Sequence, residues 1–179
     1  MLSKKTIIFL TIFFIVIVIG YIIYGLYHTQ TSPSHWIGRE IPQFSLSTQN
    51  KNQEFTQDDL KGHPSLLTFF ASWCFSCRIE HKMLGEISKK YNTPLYGIAY
   101  RDDENSVVTW LSKFGNPFLK IGFDILGDIG FEWGILGVPE TFLIDENGIV
   151  RHHVHGALYS DEEINSLKEA LSTLGLSEK

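Results

Sequence analysis

An uncharged apolar run of 21 residues, Thr6–Leu26, divides this chain of 179 residues into parts that must be read separately. At about 1.5 Å per helical residue such a run is long enough to cross the hydrocarbon core of a bilayer. A cleavable secretory signal has a shorter apolar region and small residues at its cleavage site, whereas Tyr27-His28-Thr29-Gln30-Thr31 follows here. The run therefore reads as an uncleaved transmembrane helix, with a long signal peptide removed in the mature protein as the alternative. Lys4 and Lys5 precede it with no acidic residue beside them, which leaves the short tail in the cytoplasm and turns the rest of the chain outward. Thr31-Ser32-Pro33-Ser34 reads as a polar linker. The expected organisation is a tail and anchor over 1–27, a linker over 28–38 and one domain over 39–179, large enough to hold a full core. Net charge is −5, and Lys4 and Lys5 are the only charges before Tyr27, so the outward part is more acidic still; a nucleic-acid partner is not expected.

Within the domain the apolar periodicity alternates between strand and helix. Gln43–Ser47 alternates as a short strand, Thr48–Asp58 reads as a turn or hairpin, and Pro64–Phe70 as a buried strand. From Cys74 to about Tyr91 the pattern is helical, with Ile79, Met83, Leu84 and Ile87 on one face and Lys82, Lys89 and Lys90 on the other. Leu95–Tyr100 is the next strand, and Asp102 or Asp103 caps a helix that ends at Gly115. A short strand is expected within 116–125 and a short helix at Asp128–Trp133. The strand Glu140–Ile144 then turns at Asp145-Glu146-Asn147-Gly148 onto Ile149–His155. Ser160-Asp161-Glu162-Glu163 is a capping box opening a last helix with Ile164, Leu167, Leu171 and Leu174 as its stripe. Parallel strands with crossover helices followed by an antiparallel hairpin and a helix describe a mixed α/β sandwich.

The only two cysteines, Cys74 and Cys77, stand where the buried strand gives way to the helix. Cys74 falls at the helix start, where unpaired N–H groups and the macrodipole favour an anion. Thiols so placed with this spacing have pKa values of roughly 3.5 to 7.5, against about 8.5 for a free cysteine. Cys74 is thus the attacking sulfur, and Cys77, one turn further in, the one that resolves a mixed disulfide. The other readings are a structural disulfide, half a zinc site and two inert thiols. A bridge closing two residues gains little loop entropy, and a structural zinc needs four ligands that the sequence does not supply nearby, so redox use is favoured and no metal is expected. His152, His153 and His155, the only histidine cluster, read as solvated strand-end residues. Glu80 projects from the face that carries Cys77, either as its proton acceptor or as a surface carboxylate. Trp73 either shields the sulfurs and packs on a partner or belongs to the core.

Trp73-Cys74-Phe75-Ser76-Cys77 resembles the WCxxC motif of thioredoxin-like proteins, and Gly137-Val138-Pro139-Glu140-Thr141 the loop bearing their cis-proline. Tyr96–Asp103, Trp110-Leu111, Phe114–Pro117 and Gly137–Phe142 are further similar to the DsbE, or CcmG, family of cytochrome c biogenesis proteins, over nearly the whole chain. The resemblance implies a thioredoxin-like fold, a mixed sheet flanked by helices, tethered by one pass to a bacterial inner membrane and facing the periplasm. It implies a thiol:disulfide oxidoreductase that needs no cofactor and reduces disulfides in cytochrome c maturation. Its partners would be apocytochrome c, with its haem-ligation cysteines, or a maturation protein, and a DsbD- or CcdA-type membrane reductant. Cys74 and Cys77 would be the redox pair, and Glu80 and Glu140 acidic residues near it. Trp73, Val138, Pro139 and Glu140 would meet the substrate, the backbone of Val138 pairing with a bound peptide. Phe75 and Ser76 depart from the proline that many relatives carry between the cysteines. The alternatives are a general or differently dedicated tethered thioredoxin of the TlpA or ResA type, and a non-catalytic apoprotein-binding module.

Overall fold

The structure, a computed structural model, describes residues 4–27 and 35–179. The linker Thr31-Ser32-Pro33-Ser34 lies outside the described residues. The chain divides into two compact units, Met1–Pro33 and Ser34–Lys179.

The first unit holds helix α1, Lys4–Tyr27, whose apolar side chains from Ile8 to Tyr24 are exposed. Among the described residues no helix is long and apolar enough to cross a membrane. The side chains of Ile7 and of residues 25–27 are outside the described set, so the uncharged run read from the sequence is described only in part.

The second unit is a mixed α/β fold. The strands β1 (Ser45–Ser47) and β2 (Glu54–Thr56) form an antiparallel hairpin. The main sheet comprises β3 (Ser65–Phe70), β4 (Leu95–Tyr100), β5 (Lys120–Asp124), β6 (Glu140–Ile144) and β7 (Val150–His155). Its order is β5-β4-β3-β6-β7, with β3, β4 and β5 parallel and β6 and β7 antiparallel to their neighbours. The helices are α2 (Phe75–Lys90), α3 (Glu104–Phe114), α4 (Asp128–Glu132) and α5 (Asp161–Thr173). All six residues of β3 are buried, as a central strand covered on both faces requires.

Alternation along the strands sorts the core into two layers. Leu66, Phe70, Leu95, Ala99 and Leu143 join Leu84 and Ile87 of α2, Val107 and Leu111 of α3, and Leu167 and Leu171 of α5. Leu67, Phe69, Ile98, Phe142 and Ile144 face the other way, toward Phe44, Phe55 and Trp133. Gly97 belongs to the first layer because nothing larger fits: a Cβ there would lie 2.7 Å from the Phe70 ring and 3.1 Å from that of Phe118. The packed unit begins ahead of the boundary expected at 39. The Trp36 indole donates to the Trp133 carbonyl at 2.7 Å, and the Gly38 N–H to that of Val150 at 2.8 Å.

Candidate active site

The turn that leaves β3 delivers Cys74 to the N-cap of α2 in an extended conformation, φ −85° and ψ 116°. The usual occupant of that position offers an oxygen to the orphan N–H groups of the first turn. Here the Cys74 sulfur takes that place, accepting the N–H of Cys77 at 3.1 Å, and the two cysteines are joined as a disulfide. Both are buried, whereas the flanking Trp73 and Phe75 are 61% and 67% exposed. The site is therefore a recessed pair of sulfurs between two projecting aromatic rings. Beside it a cavity of about 550 Å³ is lined in part by Trp73, Cys74, Phe75, Arg78, Trp110 and Phe114. The Arg78 guanidinium lies over the Phe75 ring at 4.9 Å and near that of Phe114 at 5.6 Å, so a cation is held between aromatic faces at its rim.

The loop before β6 closes the other side. Its Val138–Pro139 peptide is cis, and the Val138 carbonyl oxygen lies 3.4 Å from the Cys74 sulfur. Pro139 is buried and Val138 half-buried. Glu140 fixes this loop from behind: one carboxylate oxygen accepts the N–H groups of Leu136 at 2.9 Å and Gly137 at 3.4 Å. Its other oxygen bonds His153 Nε2 at 2.9 Å. Because Glu140 is itself buried, its effect on a bound chain passes through the position of the loop.

Glu80 is buried as well, which decides against a surface carboxylate. One turn along α2 from Cys77, it accepts the Leu158 N–H at 2.9 Å. Burial pushes its carboxyl up to about 8, against the lowering effect of the Leu158 N–H and with a smaller upward push from Glu163. At neutral pH, beside the closed disulfide, Glu80 carries a proton. Ile79, by contrast, was expected on the buried face and is 47% exposed. The face of α2 that packs inward runs instead through Cys77, Glu80, His81, Leu84 and Ile87, because the groups that cover it supply polar partners: Leu158 N–H for Glu80 and the Gly115 carbonyl, 2.9 Å from His81 Nε2.

Asp102 and Asp103, equivalent as caps in the sequence, have separate tasks. Asp103 caps α3 through the Ser106 N–H at 3.0 Å. Asp102, buried, reaches across to accept the Ser72 N–H at 2.5 Å and so ties the approach to the cysteines to the end of β4. The Trp73 indole donates to the neighbouring Arg101 carbonyl at 3.2 Å. The histidine cluster also differs from expectation. The His153 side chain is only 4% exposed and stacks on Phe142, with centroids 3.9 Å apart, so it is not solvated. Strand alternation gives the face of a residue, not its surroundings, and here the cross-strand Phe142 ring, itself packed against Trp133, lies against His153.

Residues 37–153 match the AhpC/TSA family. The chain is 40% identical over 126 residues to the thiol:disulfide interchange protein DsbE of Pseudomonas fluorescens biotype C, covering 70% of each chain. It is 37% identical over 157 residues to the DsbE of Pseudomonas aeruginosa, covering 87% of each. Among solved structures, a protein of Chlorobium tepidum assigned as DsbE superposes with a TM-score of 0.68 at 23% identity, over 77% of this chain and 96% of that one, which is a likeness of fold.

Proposed function

Since the chain belongs to the DsbE family of thiol:disulfide interchange proteins and is a thiol:disulfide oxidoreductase, we propose that it reduces client disulfides during cytochrome c maturation. The observation that carries the assignment of roles is the Cys74 sulfur at the N-cap of α2, within 3.4 Å of the Val138 carbonyl. In the reduced protein the Cys74 thiolate attacks a client disulfide, forming a mixed disulfide and releasing one client thiolate. Cys77 then gives its proton to Glu80 and attacks Cys74, so that the Cys74–Cys77 bond forms and the second client sulfur leaves. Two electrons pass from the dithiol to the client. Because burial raises the Glu80 carboxyl to about 8, the ionised fraction present near neutral pH is the acceptor, and the step should quicken as pH rises toward that value. When a membrane reductant of the DsbD or CcdA type reopens the bond, Glu80 returns that proton to the Cys77 sulfur.

The client is an apocytochrome c haem-attachment pair or a maturation protein that carries one in disulfide linkage, docking along Trp73 and the backbone of Val138 and Pro139. We further infer that the uncharged run Thr6–Leu26 anchors the chain in the bacterial inner membrane, with Lys4 and Lys5 on the cytoplasmic side and the domain in the periplasm. What supports the anchor is the run's length and lack of charge, together with the exposed apolar side chains of α1.

A Cys77→Ser protein tests the chemistry and the client together. It should accumulate mixed disulfides through Cys74, and mass spectrometry of the trapped partners should return apocytochrome c or a maturation protein. A Cys74→Ser protein should trap none. A broad, unrelated set of partners would reassign the protein as a general reductant, and unchanged c-type cytochromes on deletion would remove the maturation role.

A further inference from the structure

On the far side of the proline loop from the sulfurs, strands β6 and β7 bring together a second set of chemically able side chains. In the register of the pair Glu140 stands opposite His155 and Phe142 opposite His153, so Glu140, His153 and His155 share one face of the sheet. One ligand atom from each lies within 4.8 Å of the other two. His153 Nε2 is 2.9 Å and His155 Nδ1 3.7 Å from the same oxygen of Glu140. We propose that Glu140, His153 and His155 bind a divalent late first-row cation of the zinc type, separate from the cysteine pair.

The distances suit that ion. With metal–nitrogen and metal–oxygen bonds of about 2.0 to 2.1 Å, neighbouring ligand atoms of a tetrahedral site stand about 3.3 Å apart. The observed 2.9 and 3.7 Å to the shared oxygen lie on either side of this value, and the ligand atoms of His153 and His155 lie within 4.8 Å of each other. Two imidazoles and one carboxylate form a donor set that favours zinc and its neighbours over calcium or magnesium. The burial is graded: the side chains of Glu140 and His153 are each 4% exposed, that of His155 31%. The ion would enter past His155 and keep water as a fourth ligand.

Hydrogen bonding within the protein accounts for one pair of the cluster, Glu140 with His153, and not for the place of His155. His155 Nδ1, 3.7 Å from the shared Glu140 oxygen, is beyond hydrogen-bond reach of it. His153 and His155 nonetheless lie with centroids 3.8 Å apart against one carboxylate, an arrangement that a shared cation explains. The same carboxylate holds the Leu136 and Gly137 N–H groups with its other oxygen, so the ion would be linked by one residue to the loop facing Cys74.

The test uses the full-length chain in detergent, stripped with a chelator and kept oxidised so that the cysteines cannot ligate. Zinc is titrated by calorimetry, and cobalt(II) by its visible absorption. One equivalent of zinc should bind, with cobalt bands of a four- or five-coordinate site. His153→Gln and His155→Gln should each weaken binding ~10-fold or more, and His152→Gln should leave it unchanged. Should His153→Gln fail to fold, His155→Gln, at the more exposed rim, decides alone. Absence of stoichiometric binding, undiminished binding in His155→Gln, or equal loss in His152→Gln would overturn the proposal.

Discussion

Replacing Glu80 by glutamine should make the oxidised protein more stable, which is unusual for a change at an active-site residue. Burial holds the folded carboxyl at about 8, far above the ordinary 4.5. Between those values the folded chain binds more protons than the unfolded one, so stability falls as pH rises through that window. Each unit of displacement is worth about 1.4 kcal/mol. The burden on the folded state is therefore about 3 kcal/mol at pH 7, approaches about 5 above pH 8, and vanishes below about pH 4. Glutamine cannot ionise, and its carbonyl still accepts the Leu158 N–H, so most of this burden should be relieved, leaving a gain of about 2 to 3 kcal/mol at pH 7. His81 titrates in the opposite sense, since burial lowers it and stability then rises with pH, but it is common to both proteins and cancels in their difference. Trp36, Trp73, Trp110 and Trp133 are the chain's only tryptophans and all lie in the Ser34–Lys179 unit, so fluorescence-monitored urea unfolding reads that unit. The measurement is made on the disulfide form at several values from pH 4 to 8. A variant no more stable than the wild type at pH 7, or a difference that does not grow from pH 5 to 8, refutes the reasoning. The same variant should exchange disulfides more slowly, because Cys77 has lost its proton partner.

Two further outcomes follow from the packing and the cap. Gly97→Ala should lower stability by about 1 to 3 kcal/mol in urea unfolding, because the added methyl meets the Phe70 and Phe118 rings in the stacked core between β4 and the helices. In Cys77→Ser, the absorbance rise at 240 nm that marks thiolate formation should come from Cys74 alone and fall below about pH 8, lower than for a free cysteine, because Cys74 keeps its N-cap position and the Cys77 backbone N–H; a midpoint at or above the free-cysteine value would remove the helix terminus as the source of reactivity.

The order of elements was legible because each rests on local pattern: six alternating or continuous apolar strands, capping residues at Asp103 and Ser160, and glycine after α3. What escaped were contacts made by residues far apart in the chain. Nothing in the spacing of α2 tells that residues 156–158 come back to offer an N–H to Glu80, so a carboxylate at i+3 from Cys77 reads equally as solvent-facing or buried. Asp102 and Asp103 are alike as local caps, and only the fold assigns Asp102 to Ser72, thirty residues earlier. His153 was placed on the correct kind of element and given the wrong surroundings, since its covering rings come from Phe142 and, beyond it, Trp133. The proline loop is legible through family resemblance; its approach to within 3.4 Å of Cys74 is a product of the β3–β6 pairing.

That pairing also bears on the proposal that two sulfurs in one helical turn do different work. Cys74 ends the β3 turn at the edge of the domain, where the Val138 carbonyl and the exposed rings of Trp73 and Phe75 bound the space in front of it. Both sulfurs border the apolar layer of Phe70 and Ala71, but Cys77 lies within α2, one turn before the buried Glu80, whereas Cys74 holds the N-cap. The attacking role needs a stable anion and access, and the resolving role needs a neutral thiol that ionises only as it reacts. On the proposed roles, the strand-to-helix junction supplies the first and the buried carboxyl the second. Substituting Glu80 should therefore leave the mixed disulfide forming at its normal rate and slow its resolution, so that in single-turnover exchange with a model disulfide the intermediate accumulates in Glu80→Gln and not in the wild type. Equal slowing of both steps would show that Glu80 acts on the site as a whole rather than on Cys77.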